Sequence, residues 1–192
     1  MESFLINTLQ QLIPINKEDK TIYQDRFQVK HYKKGDFFLQ EGQVCKYMGL
    51  IESGLMRHYI NQDGRERTFS FVNEKRFLCN YESFKTQSPS SRIIQALEDT
   101  TVHVATFDNF EYLYDHTRSG DRIGRLVLGM VLIKLEKELT SFYTDTPEQR
   151  YQKFIEEYPD LQQRISQYHI ASFVGVKPPS LSRIRKRIIE NR

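Results

Sequence analysis

The chain has 192 residues, with 28 Lys or Arg against 25 Asp or Glu (net charge +3), 39% apolar and 28% charged residues. This describes an ordinary soluble protein, long enough for one large domain or a domain of over a hundred residues plus a smaller one, and two units fit better. Two cysteines, Cys45 and Cys79, exclude a disulfide framework or a cysteine-ligated cluster and fit a reducing cytoplasm.

Met1 to Pro14 is apolar at Phe4, Leu5, Leu9, Leu12 and Ile13, but polar residues interrupt it. With neither a basic leader nor a long apolar run, it reads as an amphipathic packing helix rather than an export signal or membrane span. A second short helix is expected over Lys17 to Asp25, where Glu18 and Asp19 suit a helix N-terminus.

From about Phe27 to Phe107 the apolar period changes to two. Phe27, Val29 and His31 alternate with polar neighbours, and Gly35-Asp36 and Glu41-Gly42 are turns around a short strand at Phe37 to Gln40. Strands follow at Tyr47 to Glu52 and Leu55 to Ile60, and Asn61-Gln62-Asp63-Gly64 signals a hairpin returning through Arg67 to Val72. Arg92 to Ala96 and Thr101 to Thr106 complete a set of short strands that describes a β-sandwich or roll. Phe77 to Ser91 shows no strand pattern and reads as a loop with one helical turn, placed where a roll could hold a ligand.

Asp108 to Leu113 suggests a short helix, and a long one follows from Gly120 to Tyr143. Ile123, Leu126, Met130 and Ile133 form one apolar stripe of that helix, and Leu128, Leu132, Leu135, Leu139 and Phe142 form another, spaced 4, 3, 4 and 3. A roll can cover one stripe; the other has coiled-coil spacing and asks for the same helix of a second copy, unless both are internal. Thr144 to Thr146 reads as a hinge, and Pro147 opens a helix through Glu157 with Thr146 as its cap.

Helical periodicity then places Ile170, Ala171 and Val174 on one face of a helix, and Leu181, Ile184 and Ile188 on one face of another, with Gly175 between them. Gly175 suits the left-handed turn, Ala171 permits close packing, and Val176 plugs the space between the helices. Outward on the second helix lie Pro179, Ser182, Arg183 and Lys186, flanked by Ser180 and Arg187. With Lys177, Arg185 and Arg192 they concentrate positive charge as phosphate binding requires.

Tyr32-Lys33-Lys34-Gly35-Asp36 with Glu41-Gly42, the passage Gly49 to Tyr59 around Ser53-Gly54, Ala96 to Val102, and the pattern His169 to Lys186 together resemble the CRP/FNR superfamily, the bacterial transcription factors of the cyclic AMP receptor protein and fumarate-nitrate regulator type. The resemblance implies an α+β fold: a double-stranded, cyclic-nucleotide-binding-like β-roll (jelly roll) over 1–119, a dimerisation helix over 120–143 and a helix-turn-helix domain over 144–192. It further implies that the second helix of the motif enters the major groove of double-stranded DNA, with Arg183 placed to read guanine. Pro178 and Pro179 stand where familiar members often carry a basic residue and a glutamate, so the base code differs. Since the sequence stops at Arg192, no wing is expected, and phosphate anchoring falls to Lys177, Lys186, Arg187 and helix N-termini.

The same resemblance locates an effector pocket near Cys79, Asn80 and Arg92, but not one suited to cyclic AMP. Cyclic-nucleotide-binding members carry a Gly-Glu and an Arg-Ser pair there, whereas here no glycine lies between Phe77 and Arg92, and Phe77, Leu78 and Tyr81 are available to fill the space. Enzymatic function has no support: the histidines are scattered singly without a His-x-His pair, and no glycine-framed serine or activated cysteine appears. The expectation is a cytoplasmic homodimeric DNA-binding regulator with no metal, cofactor or membrane partner and an effector left unidentified. The rival reading is a cyclic-nucleotide-binding or protein-interaction module without sequence-specific DNA binding.

Overall fold

Asp63 and Gly64 both take positive φ, 53° and 75°, the pair of left-handed residues that a two-residue hairpin of the favoured twist requires. In the computed structural model, which describes residues 3–190, this turn joins β4 (Met56–Gln62) to β5 (Arg65–Val72). Met1 and the cation at Arg192 lie outside the described residues. Preceding the hairpin in the chain are α1 (Phe4–Gln10), α2 (Lys17–Arg26), β1 (Gln28–Tyr32), β2 (Phe37–Leu39) and β3 (Tyr47–Ser53). After it come β6 (Phe77–Leu78), α3 (Tyr81–Thr86), β7 (Ile93–Ala96), β8 (Thr100–Thr106), α4 (Phe107–His116) and α5 (Gly120–Thr144). Last are α6 (Pro147–Glu157), α7 (Gln167–Val174) and α8 (Pro178–Glu190).

The strands form two four-stranded sheets, in the orders β1-β8-β3-β6 and β2-β7-β4-β5. The stretch expected to lack a strand contributes β6, whose Leu78 and Phe77 pair with Gly49 and Leu50 of β3. Two residues are too short for any period to show in sequence; the strand is defined by its partner. Arg92, expected on a strand, lies just before β7.

Two compact units result. The first contains the residues up to His58 and Phe71–Val131; the second contains Tyr59–Ser70 and the residues from Leu132 onward. The first unit has two apolar clusters. Leu39, Met48, Ile51, Met56, Leu78, Phe84, Ile94, Val102 and Val104 fill the roll. Leu5, Ile6, Leu9, Ile13, Tyr23, Leu50, Leu113 and Ile123 join α1, α2, α4 and the start of α5 to the outside of β3.

One stripe of α5 was expected to be covered. Of that stripe only Ile123 is buried, while Leu126, Met130 and Ile133 are 39%, 50% and 55% exposed. The reason is length: a 25-residue helix runs about 37 Å, and its apolar partners in the cluster reach only the first turns, to Ile123 and Val127.

The start of α5 is fixed from α2. Asn16 caps α2 through the Asp19 N–H at 2.8 Å. The Asp19 carboxylate, 3% exposed, accepts from the Ser119 N–H (3.0 Å), the Ser119 hydroxyl (2.6 Å) and the Arg118 N–H (3.3 Å). A carboxylate at a helix N-terminus satisfies donors that have no intrahelical partner. Asp19→Ala leaves those donors buried and should cost about 2 kcal/mol, read as a lower urea midpoint at unchanged slope; Asp19→Asn should cost less.

Candidate nucleic-acid interface

Within the second unit, α6, α7 and α8 pack around Tyr151, Phe154, Tyr158, Leu161, Ile165, Ile170, Ala171, Val174, Leu181 and Ile184, all buried. Thr146 and Gln149 form a reciprocal capping box at the start of α6, with Pro147 in its first turn. Ser166 caps α7 by accepting from the His169 N–H. The turn to α8 passes through Gly175 at φ +81°, where a side chain would be strained. The N–H groups of Gly175 and Val176 return to the carbonyls of Ser172 (3.1 Å) and Ala171 (2.9 Å), closing the end of α7.

Arg150 of α6 completes this arrangement. Its Nε donates to the Val174 carbonyl at 2.8 Å and its guanidinium also donates to the Asp145 carbonyl at 2.7 Å. One side chain therefore ties the hinge, the first turns of α6 and the last turn of α7. It was not singled out from the sequence, because nothing local distinguishes it from the other arginines.

With Leu181 and Ile184 inward, α8 exposes Pro179, Ser182, Arg183, Lys186 and Arg187, Lys177 is exposed just before it, and Ser180 is half-buried. The structure brings Ser180, Arg183 and Arg187 into one open groove with Thr146, Pro147 and Glu148 at the start of α6; Lys177, Pro179, Ser182 and Lys186 do not line it. Two expected phosphate anchors are engaged: Arg187 pairs with Glu148 at 3.0 Å, and Lys186 lies 3.7 Å from Glu190. Sequence reasoning missed the α6 residues, since a Thr-Pro cap announces a helix start but not what lies opposite it. On α5, Leu128, Leu132, Leu135, Leu139 and Phe142 are 38%, 58%, 55%, 60% and 64% exposed.

In the first unit, the candidate effector residues fall in a loop that uses its own donors. The Asn80 amide donates to Ser90 Oγ at 2.6 Å, and that oxygen accepts from the Arg92 N–H (2.9 Å) and donates to the Arg92 carbonyl (2.8 Å). Ser83 Oγ accepts from the Cys45 N–H at 2.9 Å, and the Gly42 and Ser90 N–H groups go to Ser90 and Gln43 carbonyls. Asn80 is buried and Arg92 is exposed. Cys79 packs against the roll core, where burial pushes its thiol well above the usual range. Leu78 fills the interior as expected, and Phe84 fills it with no space left on its surface. Tyr81 does not: it is 42% exposed and lines an apolar cleft with Phe77, Tyr114, Val127 and Leu128. Among the described residues, no cluster of three His, Cys, Asp or Glu side chains could hold a metal ion, and no helix is long and apolar enough to cross a membrane.

Residues 29–117 match the family described as the cyclic nucleotide-binding domain. No curated protein matches the chain in sequence. Among solved structures, a CooA variant from Carboxydothermus hydrogenoformans superposes with TM-score 0.75 at 17% identity, covering 99% of this chain and 86% of that one. A cyclic nucleotide-binding domain containing protein from Listeria monocytogenes gives 0.72 at 15% identity, covering 97% and 91%. A transcriptional regulator of the CRP/FNR family from Eubacterium rectale gives 0.69 at 18%, covering 92% and 85%. Residues 29–117 are therefore similar to cyclic nucleotide-binding domains, and the chain has the fold of these solved structures.

Arg150→Met keeps the aliphatic stem but strands the Val174 and Asp145 carbonyls. Loss of these charge-assisted bonds should destabilise the second unit by about 2 kcal/mol, seen in thermal unfolding followed by the tyrosines of that unit.

Proposed function

We propose that this protein is a cytoplasmic transcription regulator that reads double-stranded DNA as a homodimer. The observation that carries the reading is the two-sided character of α8: Leu181 and Ile184 are buried against α6 and α7, while Arg183, Lys186 and Arg187 stand exposed on the other side. A helix so anchored presents cations and small polar groups to a groove, where an arginine can address guanine through two hydrogen bonds. Lys177, Pro179, Ser180 and Ser182 complete the proposed contact set. The fold of the CRP/FNR regulators supports this reading. In it, residues 1–119 form the sensor, 120–143 the dimerisation helix and 144–192 the reader.

Arg183→Ala should weaken binding to a selected site by about 1–3 kcal/mol and relax preference at one base position. Lys186→Ala should weaken specific and random duplexes alike and flatten the dependence on salt. Selection of bound sites from random DNA, followed by anisotropy titrations at several salt concentrations, measures both. Half-sites about 34–36 Å apart are expected. Full specificity retained by Arg183→Ala removes that residue from the reading set.

The partner for the exposed stripe of α5 is the same helix of a second copy, because five large apolar side chains more than a third exposed form a heptad-spaced seam of the kind that two helices bury together. Leu132→Asp with Leu139→Asp should give monomers in sedimentation and abolish operator binding. A wild-type monomer at micromolar concentration would sink the assignment.

Cyclic AMP is not the proposed effector. Its phosphate would lose water in a loop where the Asn80 side-chain amide, the Ser90 hydroxyl and the Arg92 backbone already bond to one another. Calorimetry should show no saturable binding tighter than about 100 μM, and DNA affinity should not respond to the nucleotide.

A further inference from the structure

Strand β5 ends one sheet, in the order β2-β7-β4-β5, so its outer edge presents backbone groups that a neighbouring strand would take up. In the second unit that edge meets the outer side of α7. The Ser172 hydroxyl accepts from the Thr68 N–H at 2.9 Å and donates to the Glu66 carbonyl at 3.1 Å. These two groups flank Arg67, and one residue of a parallel neighbour would bond to them in the same way. A single serine hydroxyl thus replaces both the N–H and the C=O of an added strand.

We propose that Ser172 is a reversible clasp that restrains the DNA-reading helices by holding α7 to the β4–β5 hairpin; this rests on the reading of α8 as a DNA reader. Two features make the clasp releasable. Both bonds are between neutral groups, and net of water such bonds contribute little each. Beside them the Thr68 side chain, in a residue only 4% exposed, has a buried hydroxyl oxygen with no hydrogen-bond partner among the described residues. An unsatisfied buried hydroxyl carries a desolvation cost, so the clasp closes beside a polar group that gains no partner from it. The restraint acts on the helix that carries the turn to α8, so any shift of α8 needed to seat in a groove works against it. Release favours the DNA-bound arrangement.

The test compares the full-length wild type with Ser172→Ala and Ser172→Thr, the latter keeping the hydroxyl. Amide exchange by NMR in the free protein should show Thr68 protected in the wild type and in Ser172→Thr, and roughly tenfold faster in Ser172→Ala. Affinity for a selected duplex at fixed salt should rise about threefold or more in Ser172→Ala and stay near wild type in Ser172→Thr. A Thr68 amide that is unprotected in the wild type, or equally protected without the hydroxyl, removes the clasp. Faster exchange with unchanged or weaker DNA affinity removes the restraint and leaves a structural contact. Absence of DNA binding in all three proteins, with the exchange pattern as expected, overturns the restraint because the DNA-reading assignment itself has failed, an outcome distinct from loss of the clasp.

Discussion

The direction of α8 depends on how α7 ends, and Arg150 governs that end. A helix terminus leaves carbonyls without intrahelical donors; here the left-handed Gly175 returns two N–H groups to Ala171 and Ser172, and the Arg150 guanidinium takes the Val174 carbonyl. The same guanidinium holds the Asp145 carbonyl before α6 and lies 5.6 Å from the Phe142 ring. Its planar fork can serve several acceptors in fixed directions, which a lysine ammonium cannot. The buried faces of α7 and α8 supply cohesion, but cohesion alone does not choose an angle between two short helices. The arginine and the glycine do.

Charge near α8 is moderated rather than maximised. Glu148 sits on Arg187 and Glu190 near Lys186, exposed pairs that hold side chains loosely and yield to salt or to a competing phosphate. Among the described residues no ion pair engages Lys177 or Arg183. On the proposed reading as a DNA-contacting surface, this division keeps some cations partnered in the free protein and leaves others available, so that phosphate and base contacts fall to different side chains.

The roll follows the opposite logic. Its interior is closed by aliphatic side chains and by Phe84, which packs edge-on to Phe107 and Phe110 at 5.6 and 5.8 Å. Around the loop before β7, the Cys45 and Arg92 N–H groups, the Asn80 amide N–H and the Ser83 and Ser90 hydroxyls are paired internally, while the buried Asn80 Oδ1 has no partner among the described residues. Once internal partners meet the hydrogen-bonding capacity of buried donors, a new anion must displace them as well as lose its own water.

Much of this was legible in the sequence because it is local. Asp63-Gly64 specifies its hairpin through two left-handed residues; Thr146-Pro147 specifies a helix start; the Ile170-to-Ile184 spacing specifies two packed helices and their turn; the heptad of α5 announces an unpartnered face. Each depends on residues within a turn or a strand period of one another, where backbone geometry alone sets the relation. What only the tertiary structure decided is pairing across distance. β6 exists because β3 lies beside it. Asp19, legible only as an acid in the first turn of α2, turns out to cap Ser119 about a hundred residues on. Helix α5 leaves the second stripe, and the first beyond Ile123, open because its packing partners end at its first turns, and Ser172 completes the edge of β5 from a helix 104 residues away. A side chain's own sequence neighbourhood fixes its conformational preferences, but the partner that satisfies its polar atoms is chosen by where separate elements come to rest, and no local pattern carries that information.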